Sequence, residues 1–396
     1  MHSCAYVPNE NISQPVMAST NTNIVKARYI MIGGFLGAGK TTAVGRLAGH
    51  LKGKGLRVGL ITNDQGRNLV DTAMLRSQGF STEEIPGGCF CCRFNSLVEA
   101  AKKLTASMRP DVFVAEPVGS CTDLVATVTY PLRRLYGDNF TVAPISVLVD
   151  PIRALRILGV EEGGNFSEKI IYIYNKQLEE ADLIVINKCD LLTPERLESL
   201  RQAIAQRFPQ KAITTMSARF GTNLEAWFEL LEKQEQKTGT AMYVDYQVYA
   251  EGEALLGWLN CTVQLSSSTA FDSDTLLQQL AQEIQNRLRA ENAEVAHLKM
   301  TLSPDGGVLG EIAVVNLVRN DFVPELSMKL ESPVESGQLI INLRAEGAPN
   351  PLESAVRQAV AATPAKFHGI KAAVDHMESF RPGRPSPTHR ITTLTQ

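Results

Sequence analysis

Residues 34–41, GFLGAGKT, constrain this chain more than any other stretch. They fit the spacing G-x-x-x-x-G-K-[ST] through Gly34, Gly39, Lys40 and Thr41, with Gly37, Ala38 and Thr42 completing the turn. The turn sits between an apolar run, ARYIMIGG, and a helical pattern, as its mechanism requires. A glycine-rich turn lets backbone N–H groups close around phosphate oxygens, and the following helix N-terminus adds partial positive charge. Lys40 is expected to reach the β- and γ-phosphates, and the Thr41 hydroxyl to bind Mg²⁺. Beyond it, LRVGLITN, PDVFVAEP, APISVLVD and ADLIVINK are short apolar strands alternating with helical segments, including one around 68–78. That alternation predicts a parallel sheet covered on both faces. Past residue 236 the rhythm changes to strand candidates joined without helices and two amphipathic helices. The expected fold is an α/β P-loop NTPase domain with a mainly parallel sheet, residues 28–236, followed by a smaller α+β domain, residues 237–380. Residues 1–27 and 381–396 are expected to be flexible tails, with Arg381, Arg384 and Arg390 solvated.

A phosphate loop does not identify the base. Asn187, Lys188 and Asp190 follow directly on ADLIVI, at the C-terminal edge of a strand, where ligands bind in open α/β sheets. The Asp190 carboxylate can accept from guanine N1–H and the exocyclic amine, a pair adenine lacks. This predicts GTP over ATP and argues against a small-molecule kinase using the same loop. Ser217 and Ala218 lie where a second base-contacting loop would fall.

The next feature is EEIPGGCFCCRFNSL, which puts Cys89, Cys91 and Cys92 within four positions out of seven cysteines in 396 residues. The opening residues lack a signal peptide's basic start and apolar run, and no stretch has 18 consecutive apolar residues, so a cytoplasmic location is expected. Thiols stay reduced there, and crowded cysteines read as metal chemistry before disulfides. A net charge of −3 gives no electrostatic footprint for nucleic acid or a membrane surface, so neither is an expected partner. Thiolates suit zinc first, with cobalt, nickel or iron as alternatives. Three thiolates leave a fourth position for water, a carboxylate or a partner's ligand, which suits a carrier better than a structural metal. Cys4, Cys121, Cys189 and Cys261 are each solitary and read as buried packing residues; Cys121, just past Glu116-Pro117-Val118-Gly119, has an additional ligand as its alternative reading. His297 is expected to pack within its strand. Asp71 is either part of a switch segment or an exposed carboxylate at a helix start.

Taken in order, GGFLGAGKTT, the GCFCC cluster, Glu116-x-x-Gly119 and NKCD resemble the CobW-type GTPases, relatives of the nickel-delivery GTPases of urease and hydrogenase maturation, over residues 28–235. The resemblance implies GTP hydrolysis with Mg²⁺, delivery of a divalent transition metal to an acceptor metalloenzyme or its maturation machinery, and a nucleotide-dependent homodimer. It implies that Glu116 stands where most GTPases carry an aspartate, and that Lys40, Asp64 and Glu116 serve catalysis. Two departures matter: the family's Asn-Glu after the second strand is Asn63-Asp64 here, and the histidine-rich tract of many members is absent, with six scattered histidines instead. The competing function is a GTP-driven conformational chaperone whose thiols are structural.

Overall fold

The computed structural model describes residues 26–63, 70–306 and 311–395. Eight strands form the first sheet: β1 Ala27–Gly34, β2 Val58–Asn63, β3 Thr82–Ile85, β4 Val112–Glu116, β5 Phe140–Val142, β6 Ser146–Val149, β7 Leu183–Ile186 and β8 Ala212–Thr215. Their order is β3-β2-β4-β1-β6-β7-β8, with β5 also pairing β1, and every pairing is parallel. Side chains of a strand alternate between faces, and β1 shows the result. Ile30 and Ile32 join the core under helix α1 (Lys40–Gly53), which contributes Val44, Leu47 and Leu51, while Tyr29 and Met31 join a core on the opposite face. That second core also receives Phe94, Leu97, Ala100 and Leu104. Helix α2 (Val70–Ser77) falls where the sequence pattern anticipates one, and α3 (Phe94–Met108) leads away from the cysteines. Strands β3, β5 and β8 are three or four residues long and partly exposed, too short for a periodic signal.

The second sheet is antiparallel, in the order β12-β11-β10-β13-β9-β14. Its strands are β9 Leu256–Phe271, β10 Glu294–Pro304, β11 Ala313–Leu317, β12 Glu325–Met328, β13 Val334–Glu346 and β14 Lys371–Phe380. Helices Ser273–Ala290 and Pro349–Ala362 cover one face, where Leu298, Met300, Leu302, Leu339, Ile341 and Leu343 pack. The opposite face carries the alternate residues His297, Lys299, Asn342 and Arg344. Of these, His297 and Lys299 line the cavity at the phosphate turn. The β period therefore aims a polar surface of the second sheet at the nucleotide turn of the first.

Buried charge ties the two sheets together. Arg153, 4% exposed, lies against the rings of Phe35 and Phe166 and donates to the Leu36 carbonyl in the phosphate turn at 2.7 Å. The same guanidinium donates to the carbonyls of Val295, Ala296 and Val318 in the second domain. Asp150 beside it pairs with Lys188 at 2.8 Å and Arg319 at 2.9 Å. Burial works against its charge, but Lys188, Arg319 and Arg153 outweigh burial and hold the carboxyl well below its usual range.

In the C-terminal segment Arg381 and Arg384 are exposed as expected, whereas residues 386–391 run across the first domain and Arg390 is paired there. Thr388 donates to the Cys91 carbonyl at 2.9 Å, Arg390 pairs with buried Asp123 at 2.7 Å, and the Ile391 amide donates to Ala126 at 2.8 Å. Composition cannot foresee this, because the anchors lie some 270 to 300 residues away. The N-terminal segment 1–25 lies outside the described residues.

Replacing Arg153 by Ala strands several buried carbonyls. A loss on the order of 3 kcal/mol is expected, since hydrogen bonds to a charged group are each worth about 1.5–3 kcal/mol. Chemical denaturation should show it, together with faster proteolysis between the two sheets.

Candidate functional site

The phosphate turn, the ends of β2 and β4, α2 and the polar face of the second sheet enclose a cavity of about 700 Å³. Gly39 holds φ at 88°, and a Cβ there would meet the Asn187 amide at 2.5 Å, so this position demands glycine on both counts. Asn187 explains the crowding: its amide donates to the Ala38 carbonyl at 2.8 Å while its oxygen accepts from the Ala218 amide at 3.0 Å. One side chain thus locks the phosphate turn to the Ser217–Ala218 loop. Lys188 donates to the Gly37 carbonyl at 2.6 Å, and Asp190 projects from the same edge, exposed, into the cavity lining. The structure therefore brings together the turn, Asn187, Lys188, Asp190 and Ala218, residues far apart in sequence.

Thr41 is the hub. Its hydroxyl lies 2.6 Å from Asp71 Oδ1 and 3.0 Å from Glu116 Oε1, and Lys299 Nζ reaches Asp71 Oδ1 at 2.5 Å and Thr41 Oγ1 at 3.5 Å. Lys40 is buried nearby, its pKa lowered by desolvation. Burial, reinforced by the Asp71 charge, pushes the Glu116 carboxyl up to about 7. Glu116 Oε2 is buried with no hydrogen-bond partner. Three hard oxygen donors, one of them orphaned, fit Mg²⁺. Asp71 is thus a partly buried partner of Thr41 and Lys299 and not an exposed carboxylate at a helix start. Its helix α2 is docked on the second sheet: the Val70 amide donates to Asn342 at 3.0 Å, and Val70 packs with Ile312 and Val314. Sequence reasoning missed Lys299; the only signal was its place on the polar side of the alternating VAHLKMTL. His297 is buried in β10 as expected, and it also borders the cavity. Asp64 lies outside the described residues.

The cysteines lie on the other side of β2 and β4. Cys89 and Cys91 sulfurs are 2.8 Å apart, and Cys92 stands 3.4 and 3.5 Å from them. Among the described residues this is the one set of three ligating side chains whose donor atoms lie within 4.8 Å of one another. Two segments connect it to the nucleotide cavity. Asn63, ending β2, donates to the Gly88 carbonyl at 2.6 Å and to Ile85 at 2.9 Å. From Glu116, ending β4, a loop runs to Cys121, which is 1% exposed. Cys121 packs in the first domain's core, as the packing reading expects. Hydrogen bonds from Cys121, Cys91 and Cys92 hold the Cys89 thiol well below its ordinary range. Cys91 is raised well above it by the same partners, and Cys92 is pushed up to about 11, chiefly by Cys89. Glu253, buried and accepting from Ser120 at 2.7 Å, is raised far above its usual range by burial and then by the Cys89 charge. The strap closes the outer side: the Ser386 amide donates to Cys92 Sγ at 3.2 Å, and His389 meets Phe94 edge-on. Cys261 packs in the second core as expected, Cys189 is half-buried, and Cys4 lies outside the described residues.

Residues 28–215 match the family model of the CobW/HypB/UreG nucleotide-binding domain. Among curated relatives, the chain is 31% identical to a zinc chaperone CobW of Sinorhizobium sp, over 52% of this chain and 62% of that protein. It is 31% identical to the Escherichia coli zinc chaperone YeiR, over 44% and 50%. It is 24% identical to the zinc-regulated GTPase metalloprotein activator 1 of Dictyostelium discoideum, over 46% and 43%. The chain thus spans roughly half of the length of these relatives. No helix among the described residues is long and apolar enough to cross a membrane.

In the unfolded chain Glu116 would titrate near 4.5; in the folded chain it holds its proton to about 7. Its contribution to the stability of the nucleotide-free protein is therefore full below pH 4.5 and is lost as pH rises through 7. Glu116→Gln should flatten that fall, leaving the nucleotide-free variant more stable at pH 8 by up to about 3 kcal/mol. Thermal unfolding of both proteins across pH 5–8 checks this.

Proposed function

We propose that this chain, whose residues 28–215 are a CobW/HypB/UreG nucleotide-binding domain, is a GTP-hydrolysing metallochaperone that carries zinc on Cys89, Cys91 and Cys92 to an acceptor metalloenzyme. The observation that carries this reading is the double connection between sulfur cluster and phosphate turn, through Asn63–Gly88 and through the Glu116–Cys121 loop. The printed names of the relatives, zinc chaperones and a zinc-regulated GTPase activator, support the choice of metal.

In this reading the turn's backbone and Lys40 hold the phosphates, and Asp190 accepts from guanine at the rim. Thr41, Asp71 and Glu116 would hold Mg²⁺, which supplies charge stabilisation to the transferring phosphoryl group. Asp64 or Glu116 orients the attacking water. Lys299 compensates Asp71 and Glu116 in the nucleotide-free site; Asp71, if it turned to Mg²⁺ beside Thr41, would leave Lys299 and ease the hold of α2 on the second sheet. A ligand shifts such an equilibrium only by its differential contacts with the two states. The γ-phosphate provides those contacts at Thr41, and the two connecting segments pass the change to the sulfurs.

Replacing Cys89, Cys91 and Cys92 together by Ser should abolish stoichiometric zinc binding while GTP binding persists, read by metal analysis of the purified protein. Retained zinc would favour the conformational-chaperone alternative. Asp190→Ala should weaken GTP on the order of 10- to 100-fold, the value of charge-assisted hydrogen bonds to the base, and leave ATP little changed in a competition assay. Lys299→Met should lower the Mg²⁺ concentration giving half-maximal GTP turnover, because a tethered competitor for Asp71 is gone; an unchanged or higher requirement counts against the exchange.

A further inference from the structure

We infer that Arg46, on the helix that follows the phosphate turn, is a positioning residue for base recognition, an inference that rests on the guanine reading of Asp190 above. Arg46 lies six residues beyond Lys40, about 9 Å along α1, and lines the same cavity. Its guanidinium reaches across to the loop after β8. Nε donates to the Ala218 carbonyl at 2.9 Å and Nη2 to the Arg219 carbonyl at 2.6 Å. A planar fork suits two successive carbonyls, which a single ammonium does not match. The helix whose first turn serves the phosphates therefore also carries the clamp on the loop that borders the cavity with Asp190.

The loop's own hydrogen bonds show what this clamp controls. The Ala218 amide is taken by Asn187 at 3.0 Å. Ser217 donates to Thr222, Phe220 to the Ser217 hydroxyl, and Gly221 and Thr222 to the Ser217 carbonyl. Among the amides of residues 217–222, all of them described, that of Arg219 alone has no acceptor in the protein. The Arg219 side chain is engaged by Glu325, so its backbone is what it offers to the cavity it lines. A trans peptide is planar, with its C=O and N–H pointing opposite ways. By holding the Ala218 carbonyl, Arg46 therefore fixes the direction of the Arg219 N–H. Guanine's pairing edge presents the exocyclic amine, then N1–H, then the O6 acceptor, whereas adenine carries an amino group in the place of O6. The Asp190 carboxylate satisfies the first two groups of guanine, and the third needs a donor beside them. The Arg219 N–H is that donor; against adenine it would meet another donor. Arg46 touches no base itself and acts through the peptide it holds.

Competition binding to the full chain, with GTP, ITP, ATP and inorganic tripolyphosphate as probes, tests this. ITP keeps O6 and lacks the exocyclic amine, so it separates the loop's contribution from that of Asp190. Arg46→Met should weaken GTP and ITP alike by about tenfold, the value of one hydrogen bond, and change ATP and tripolyphosphate by less than about twofold. In turnover the loss should fall on KM and spare kcat. Arg46→Lys, able to meet one carbonyl, should lie between wild type and Arg46→Met. Unchanged GTP affinity in Arg46→Met overturns the inference. So does an equal loss for GTP, ATP and tripolyphosphate, which marks a merely structural role in α1, and so does a loss for GTP without one for ITP. If the wild-type chain binds GTP no tighter than ATP, the guanine reading of Asp190 fails first; if it prefers GTP and Arg46→Met keeps that preference undiminished, this inference alone fails.

Discussion

The paired hydrogen bonds of the Thr41 hydroxyl, to Asp71 on α2 and to Glu116 at the end of β4, are the constraint on which the rest of the site depends. One small oxygen gathers the start of α1, helix α2 and the end of β4 at one wall of the cavity. Two carboxylates so placed repel each other, and burial magnifies the repulsion. The protein answers with Lys299, brought from β10 of a different sheet. The second domain is therefore part of the electrostatics of the nucleotide cavity, and its presence stabilises the nucleotide-free arrangement.

The same logic explains why Arg153, Asp150 and Arg319 are buried at the interface. An isolated buried charge is costly, whereas a guanidinium that satisfies carbonyls from both sheets and faces a carboxylate is compensated. Such a contact is weak as a net source of stability but strict in geometry, because it is satisfied only in one relative placement of the sheets. The cavity dimensions around the phosphate turn follow from that placement. The apolar core of the second sheet, sealed by its own two helices, leaves its opposite face available for this polar duty.

How much of this could be read in the sequence depends on range. The phosphate turn was legible because backbone geometry imposes its glycines locally, and Asn187, Lys188 and Asp190 because they follow an apolar strand at a fixed offset. The trio was legible because Cys89, Cys91 and Cys92 are neighbours in the chain. Lys299 and the strap around Ser386–Ile391 were not, since each acquires meaning from partners far away in the sequence. Strands β3, β5 and β8 escaped for another reason: at three or four residues, neither alternation nor an apolar run can rise above chance.

Burial orders the sulfur cluster in depth. Cys89, Cys91 and Cys121 are shut inside the first domain's core, and Cys92 alone is half-exposed, on the side where the Ser386 amide meets its sulfur. In the proposed carrier, an ion held there would answer from within to the segment that Asn63 ties to the end of β2, and would leave on the side of Cys92, where the strap would have to give way. The segment from Gly88 to Cys92 is pinned at its start by Asn63 and at its end by Thr388.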